Sequence, residues 1–202
     1  MKKIILFLFI IINCLNSVEA QQNFKNKEYG FQIQKPNNWI EADNKKLLKN
    51  LEKFDLTEEN LTKLISDNKG SILLTSFHKY DPKTHPGLIP TIQINVRSKG
   101  RSDFKQFKNS LIESTKNFKT IFENFKFVKE VSEIKISGIN SLFFIGQFTM
   151  KTQDGQDLKV RSRTYAIPYK NYFFQVNFID GQVREDCTTE FDELLKTIKI
   201  GI

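Results

Sequence analysis

Cysteine is scarce in this sequence, with only Cys14 and Cys187 among its 202 residues. We expect Cys14 to leave with a leader segment, so the mature chain would hold one thiol and no internal disulfide. Cys187 precedes Phe191 by four residues, which places it on the apolar face of a predicted helix. We therefore expect a packed thiol rather than a nucleophile.

Motifs that would identify an enzyme are also missing. The sequence has no glycine-rich phosphate loop, no dinucleotide-binding turn and no Ser-His-Asp arrangement. These absences predict a non-catalytic protein without a cofactor and without catalytic residues. A hydrolase with an unrecognised site stays open as an alternative.

Histidine is equally rare, and the two histidines do not form a recognisable metal motif. His78 and His85 flank Asp81, but their spacing matches no pattern typical of zinc ligands. Lys79 and Lys83 would repel a bound cation. The sequence therefore predicts exposed loop histidines and no metal site.

Hydrophobic runs long enough to span a membrane are absent, and the one marked run is Ile4–Ile12 near the start. It follows Lys2 and Lys3 and leads to a small-x-small exit at residues 18–20, a pattern typical of a signal peptide. Nine apolar residues are too few to span a bilayer, which needs about 20. We expect residues 1–20 to be cleaved after Ala20, giving a secreted or periplasmic protein without a transmembrane helix. The alternative is a lipid anchor on Cys14.

Basic residues exceed acidic ones, 31 to 23, for a formal net charge of +8. Nucleic-acid-binding proteins concentrate such a charge in a stripe or arm, whereas here lysines and acids alternate along most of the chain. We therefore expect no nucleic-acid partner. An anionic envelope surface is a more suitable partner for an exported basic protein.

Hydrophobic periodicity predicts an α+β domain over residues 21–202. Alternating or apolar runs predict strands at 29–34, 71–78, 91–97, 127–137, 141–151, 158–167 and 172–179. Asp43 and Asp55 are candidate caps of two short helices, and Ser102 is the candidate cap of a longer one ending near Phe118. A final helix is expected at 186–197. In the last strands the even-numbered apolar residues, Met150 included, are predicted to face the core.

Four local signatures along this domain resemble the PsbP-like group, which shares its fold with the Mog-type proteins. They are Tyr29-Gly30-Phe31-Gln32-Ile33 with Pro36 and Trp39, then Ile92–Val96, then Ile134, Ile136 and Gly138, and finally Phe191, Leu194, Leu195 and Ile198–Ile200. The resemblance implies a PsbP-like α/β/α sandwich: an antiparallel sheet of about six to seven strands with helices on both faces. It also implies a binding or accessory role, and no metal or docking residue carries over.

Two groups of basic residues are candidates for binding an anion or a partner. Arg97, Lys99 and Arg101 link a predicted strand to a helix N-terminus, where backbone N–H groups favour anions. Arg161 and Arg163 lie on a predicted strand. If Arg163 pairs with Gln175 across a turn at 168–171, Arg161 pairs with Asn177, and both arginines lie on the outward face of the sheet.

Taken together, these features predict an exported, monomeric and non-catalytic module of the bacterial cell envelope that binds an unidentified protein or envelope component. A carrier of a small lipid-like ligand is a further alternative. A large apolar cavity beside Phe143, Phe144 and Phe173 would favour the carrier.

Overall fold

The computed structural model describes residues 22–42, 70–152 and 155–202. The predicted signal peptide with Cys14 and the two predicted helices between residues 43 and 69 lie outside the described residues.

Ten strands and three helices occur in the described part of the chain. The strands are β1 (Asn23–Asn26), β2 (Phe31–Gln34), β3 (Ile40–Glu41), β4 (Ser71–His78), β5 (Thr91–Ser98), β6 (Glu123–Ile136), β7 (Ile139–Lys151), β8 (Asp157–Tyr169), β9 (Tyr172–Gly181) and β10 (Lys199–Ile200). The helices are α1 (Phe104–Thr115), α2 (Phe118–Ile121) and α3 (Thr188–Lys196).

The strands form two antiparallel sheets. The larger has seven strands in the order β3-β4-β5-β9-β8-β7-β6, which confirms the predicted antiparallel sheet of six to seven strands. The smaller has the order β1-β2-β10. The segment from residue 29 was predicted as one strand among the others, and its residues Phe31–Gln34 lie in this separate small sheet.

The main core contains the residues that alternation predicted. Ile92, Ile94 and Val96 of β5 are fully buried, as are Phe174 and Phe178 of β9. The α3 side chain of Phe191 stacks on Phe178 with ring centroids 4.8 Å apart. A second, smaller cluster joins Phe107 of α1 to Leu142, Ala166 and Phe173. Successive residues of a strand point to opposite faces, so Phe173 and Phe174 belong to different clusters.

Several element ends differ from the predicted ones. The N-cap of α1 is Asp103 rather than Ser102, and α1 stops at Thr115 before the short helix α2. Cys187 is buried as expected, but it is the N-cap of α3 rather than a residue within the helix. Met150, predicted to face the core, is 48% exposed because it lies one residue from the end of β7.

The predicted pairing of β8 with β9 is wrong, and the turn between the two strands is shorter than the four residues predicted. Only Lys170 and Asn171 separate the strands, and Lys170 has a φ of 52°. A left-handed residue is typical of such two-residue hairpin turns. Arg163 pairs with Phe178 instead of Gln175, and Arg161 pairs with Asp180 instead of Asn177. This register places both arginines on the face that carries the main core.

Candidate functional site

Small side chains on β8 leave room beneath α1. Ser162, Thr164 and Ala166 lie on the face of β8 that α1 covers, and Gly146 is the register partner of Ser162. The opposite face of β8 carries bulky residues such as Tyr165 and Ile167, which belong to the main core. Helix α1 approaches the sheet through Phe107, whose ring centroid lies 5.1 Å from that of Phe173. Ala166 packs against Phe107, and both Ala166 and Thr164 line the space that remains beneath α1.

The resulting cavity has a volume of about 500 Å³, which is within the range of small-molecule sites. Its apolar wall consists of Phe107, Leu111, Phe118, Phe144, Ala166 and Phe173. Its polar groups are Ser98, Ser102, Ser110, Ser114, Thr164 and Gln175, together with the cations of Arg97 and Lys99, while Gly70 completes the lining. The cavity is therefore amphipathic.

Arg97 and Lys99 bring two positive charges to the cavity. The Arg97 guanidinium donates a hydrogen bond to Oε1 of Gln175 at 3.0 Å, and the Lys99 ammonium donates to the carbonyl oxygen of Ser102. Throughout the described ranges, no carboxylate forms an ion pair with either residue. Among the described residues, the lining contains no acidic residue. In this part of the chain, no acid neutralises either charge.

Backbone hydrogen bonds hold the loop that carries these cations. The N–H groups of Lys99 and Gly100 donate to the carbonyl oxygen of Asn171 at 2.9 and 3.1 Å. The Ser102 hydroxyl donates to the carbonyl oxygen of Lys99 at 2.9 Å. These contacts tie the loop to the turn between β8 and β9. They reduce the conformational entropy that the loop would lose on binding a ligand.

The N-terminus of α1 is capped by the carboxylate of Asp103. The Asp103 carboxylate accepts a hydrogen bond from the Gln106 N–H at 2.8 Å, and the Gln106 side chain accepts one from the Asp103 N–H at 3.1 Å. This reciprocal arrangement is a capping box. The predicted attraction of an external anion to this helix end is therefore weakened. Arg101 lies in the same loop and is exposed, but it does not line the cavity.

Arg161 and Arg163 are removed from this cavity and are paired with acids. Asp180, which is fully buried, accepts hydrogen bonds from Arg161 at 2.7 and 3.0 Å and from Arg163 at 2.9 Å. Arg161 also lies 2.6 Å from Oδ1 of Asp186. Hydrogen bonds from Thr188 and then from Arg161 lower the pKa of Asp186 to about 2. The cluster joins β8 and β9 to the N-terminus of α3, and a ligand would have to displace these acids.

The histidines occupy two different environments near the start of the loop after β4. His78 Nε2 lies 3.1 Å from the hydroxyl oxygen of Ser76, and burial lowers the pKa of His78. His85 stacks on Tyr80 with ring centroids 4.2 Å apart. Sequence reasoning missed the contact between Ser76 and His78, although two residues separated by one position on a strand share a face. Neither histidine has a carboxylate hydrogen-bonded to it among the described residues.

A second cavity, of about 570 Å³, lies beside His85. Its lining includes the acidic residues Asp157 and Glu185. Glu185 accepts a hydrogen bond from the Tyr80 hydroxyl at 2.7 Å and lies 3.5 Å from the Lys79 ammonium, while Asp157 is paired with Lys159. Among the described residues, its lining contains no serine, threonine or cysteine.

Neither a metal-ligand cluster nor a membrane-spanning helix is found among the described residues. No group of three or more His, Cys, Asp or Glu side chains is placed there to hold a metal ion. The longest described helix, α1, has 12 residues, and none of the described helices has the length and apolar character of a membrane span.

Comparison with known proteins identifies the fold. The sequence matches no family model and no curated protein. The structure is similar to cyanobacterial PsbP (CyanoP) from Synechocystis sp. PCC 6803, with a TM-score of 0.54 and 9% identity over 92% of this chain and 95% of that one. This likeness confirms the predicted PsbP-like fold, and at such low identity it concerns the fold alone.

Two other solved structures show weaker similarity. LpqN, involved in cell envelope biogenesis of Mycobacterium tuberculosis, has a TM-score of 0.49 and 11% identity over 91% of this chain and 87% of its own. The Saccharomyces cerevisiae Ran-binding protein Mog1p has a TM-score of 0.48 and 7% identity over 90% and 95%.

Proposed function

We propose that this protein is a non-catalytic binding module that holds its ligand in the cavity beneath α1. The observation that carries the proposal is the combination of an apolar wall with two cations that have no acidic partner among the described residues. Binding sites for small molecules are typically concave and mostly apolar, with a few placed polar groups. The same cavity includes Phe144 and Phe173, so it supports the alternative of a carrier for a small lipid-like ligand.

A neutral fluorescent probe tests whether the cavity binds apolar molecules. N-phenyl-1-naphthylamine should bind the purified protein with one site and a rise in fluorescence. Ser110 is exposed on α1 and lines the cavity, so Ser110→Phe should fill part of it and weaken probe binding at least ten-fold. Asn109→Phe adds the same bulk to an exposed neighbour outside the lining and should change binding less than two-fold. Equal effects of the two substitutions would reject the cavity as the site.

We also propose that the protein acts after export to the cell envelope. The proposal is supported by the basic start, the short apolar run and the small-x-small exit of residues 1–20. Expression with a C-terminal tag, followed by cell fractionation and mass spectrometry, tests it. A mature chain beginning at Gln21 would support cleavage after Ala20, whereas a lipid-modified chain beginning at Cys14 would support the lipid anchor. An unprocessed cytoplasmic chain would overturn export.

The hydrolase alternative is open to a direct test. Ser76 and His78 resemble part of a catalytic arrangement, but in the described residues no carboxylate orients the histidine. Ser76→Ala should therefore leave any weak hydrolysis of p-nitrophenyl esters unchanged. A complete loss of a measurable activity in this variant would favour the hydrolase.

A three-layer α/β/α arrangement is part of the proposal. Phe107 of α1 contacts Phe173, and Phe191 of α3 contacts Phe178. Residues 173 and 178 are separated by an odd number of positions, so their side chains lie on opposite faces of β9. These two contacts support the arrangement. Nuclear Overhauser effects between these two ring pairs would test both layers in solution.

A further inference from the structure

The two ends of the cavity beneath α1 differ in chemistry, because its cations and its aromatic residues lie over different strands. Arg97 is on β5, Gln175 on β9, Ala166 on β8 and Phe144 on β7. These four strands are adjacent in the larger sheet, in the order β5-β9-β8-β7. Neighbouring strands lie about 4.8 Å apart, so three steps from β5 to β7 cover roughly 14 Å. The cavity floor is therefore cationic only at its β5 edge, and its aromatic residues extend from Phe173, the register partner of Arg97, to Phe144 on β7.

The cationic end suits an anionic group of tetrahedral or planar geometry. Among the described residues, the Arg97 side chain donates one hydrogen bond, to Gln175. Its other guanidinium N–H groups can bind a carboxylate or phosphate. Lys99 adds a second positive charge two residues away, and Ser98 and Ser102 add hydroxyl groups. A cationic head group would meet two like charges here and no acid among the described lining residues.

The aromatic end suits a hydrocarbon chain. Phe144 and Phe118 line this end with ring centroids 5.8 Å apart, and Phe118 also contacts Phe125 at 5.4 Å. No lining residue at this end is charged. Each methylene buried against such a wall should raise affinity roughly three- to four-fold.

Resting on the proposed function, we infer that the ligand of this cavity is a single-chain amphiphile with an anionic head group. The head group lies against Arg97 and Lys99, and the chain crosses β9 and β8 toward Phe118 and Phe144. This inference names the chemical class of the ligand and its orientation.

Displacement of N-phenyl-1-naphthylamine tests the inference with matched amphiphiles. Dodecanoate and dodecyltrimethylammonium share a twelve-carbon chain and differ in head-group charge, and both are used below their micellar concentrations. Dodecanoate should displace the probe at a concentration at least ten-fold lower than dodecyltrimethylammonium. Octanoate should be at least ten-fold weaker than dodecanoate because it buries four fewer methylenes. Dodecyl phosphate should behave like dodecanoate if head-group charge, rather than carboxylate geometry, decides binding.

Paired substitutions locate the head group. Arg97→Gln with Lys99→Gln should abolish the preference for dodecanoate over dodecyltrimethylammonium, measured as the ratio of their displacing concentrations in this variant. Lys105→Gln with Lys119→Gln makes the same charge change at exposed residues outside the lining, and the preference should persist. Circular dichroism melting of each variant verifies that it is folded.

The possible failures are distinguishable. If the probe binds and Ser110→Phe weakens it, but both twelve-carbon amphiphiles displace it equally, the inferred ligand class is wrong and the proposed binding function stands. If the probe does not bind, or binds regardless of Ser110→Phe, the proposed function itself is rejected. A preference that survives Arg97→Gln with Lys99→Gln would overturn the inferred orientation.

Discussion

The carboxylate of Asp180 lies 2.9 Å from the guanidinium of Arg163, and both side chains are buried beneath the N-terminus of α3. Asp180 also accepts a hydrogen bond from the backbone N–H of Cys187 at 2.9 Å. One carboxylate thus holds two arginines and the N-cap residue of a helix. This concentration of contacts makes Asp180 the centre of the cluster.

Replacing Asp180 should therefore destabilise the protein strongly. In Asp180→Asn the two arginines lose their shared buried counter-charge, which typically costs about 3–5 kcal/mol in the free energy of unfolding. Urea denaturation followed by circular dichroism measures the change. Asp157→Asn breaks an exposed ion pair with Lys159 and should cost less than about 1 kcal/mol. Similar losses in the two variants would contradict the central role of Asp180.

Asp186 should contribute a pH-dependent part of the stability. Hydrogen bonds from Thr188 and then from Arg161 lower its pKa to about 2 in the folded protein, below the ordinary value of 3.8. A depressed pKa gives stability that is present above pH ~4 and is lost as the pH falls toward 2. The carboxylate is 45% exposed, so the effect should be modest and reduced by salt.

Melting temperatures between pH 5 and pH 2 measure this contribution. Asp186→Asn should melt lower than the parent protein at pH 5, and the difference should shrink as the pH approaches 2. A nuclear magnetic resonance titration that gave Asp186 its ordinary pKa would contradict the hydrogen-bonded geometry.

Any side chain at position 146 should displace the ring of Phe125. A Cβ atom at position 146 would lie 2.7 Å from Cε2 of the Phe125 ring. Gly146→Ala should therefore displace the ring and lower the free energy of unfolding by about 1–3 kcal/mol. Combining it with Phe125→Leu, which shortens the obstructing side chain, should cost less than the sum of the two single substitutions. Strict additivity would show that the two positions do not interact.

The Cys187 thiol should react slowly while the protein is folded. It is 4% exposed, and burial raises its pKa, so little reactive thiolate is available. Labelling with 5,5′-dithiobis(2-nitrobenzoic acid) at pH 8 should be at least 100-fold slower in buffer than in concentrated urea. Rapid labelling of the folded protein would contradict the burial of this side chain.

Local periodicity accounts for much of what could be predicted. Alternation in Ile92, Ile94 and Val96 identified a half-buried strand, and all three side chains are fully buried. The apolar stripe through Phe191 and Leu194 identified the last helix. These features depend on neighbours along the chain, and a side-chain period of two or 3.6 is visible without knowledge of the partner.

The candidate site was predicted only in part because the sequence pattern does not fix the register between β8 and β9. Arg97 and Lys99 line the cavity, whereas Arg161 and Arg163 belong to a buried cluster with Asp180. Arg163 pairs with Phe178 rather than with Gln175, and this odd difference of three positions places the arginines on the opposite face of the sheet. The role of Arg97, Lys99 and Arg101 in binding stays a prediction.

The sequence by itself determined seven of the ten described strands, the last helix and the basic loop, because each is encoded in side chains close together along the chain. Only the tertiary structure decided that Arg97 meets Gln175, that Asp180 neutralises two arginines, and that small residues of β8 leave a cavity beneath α1. These contacts join residues distant in sequence. Their existence depends on how strands pair and on which side chains are too small to fill the space between a helix and a sheet.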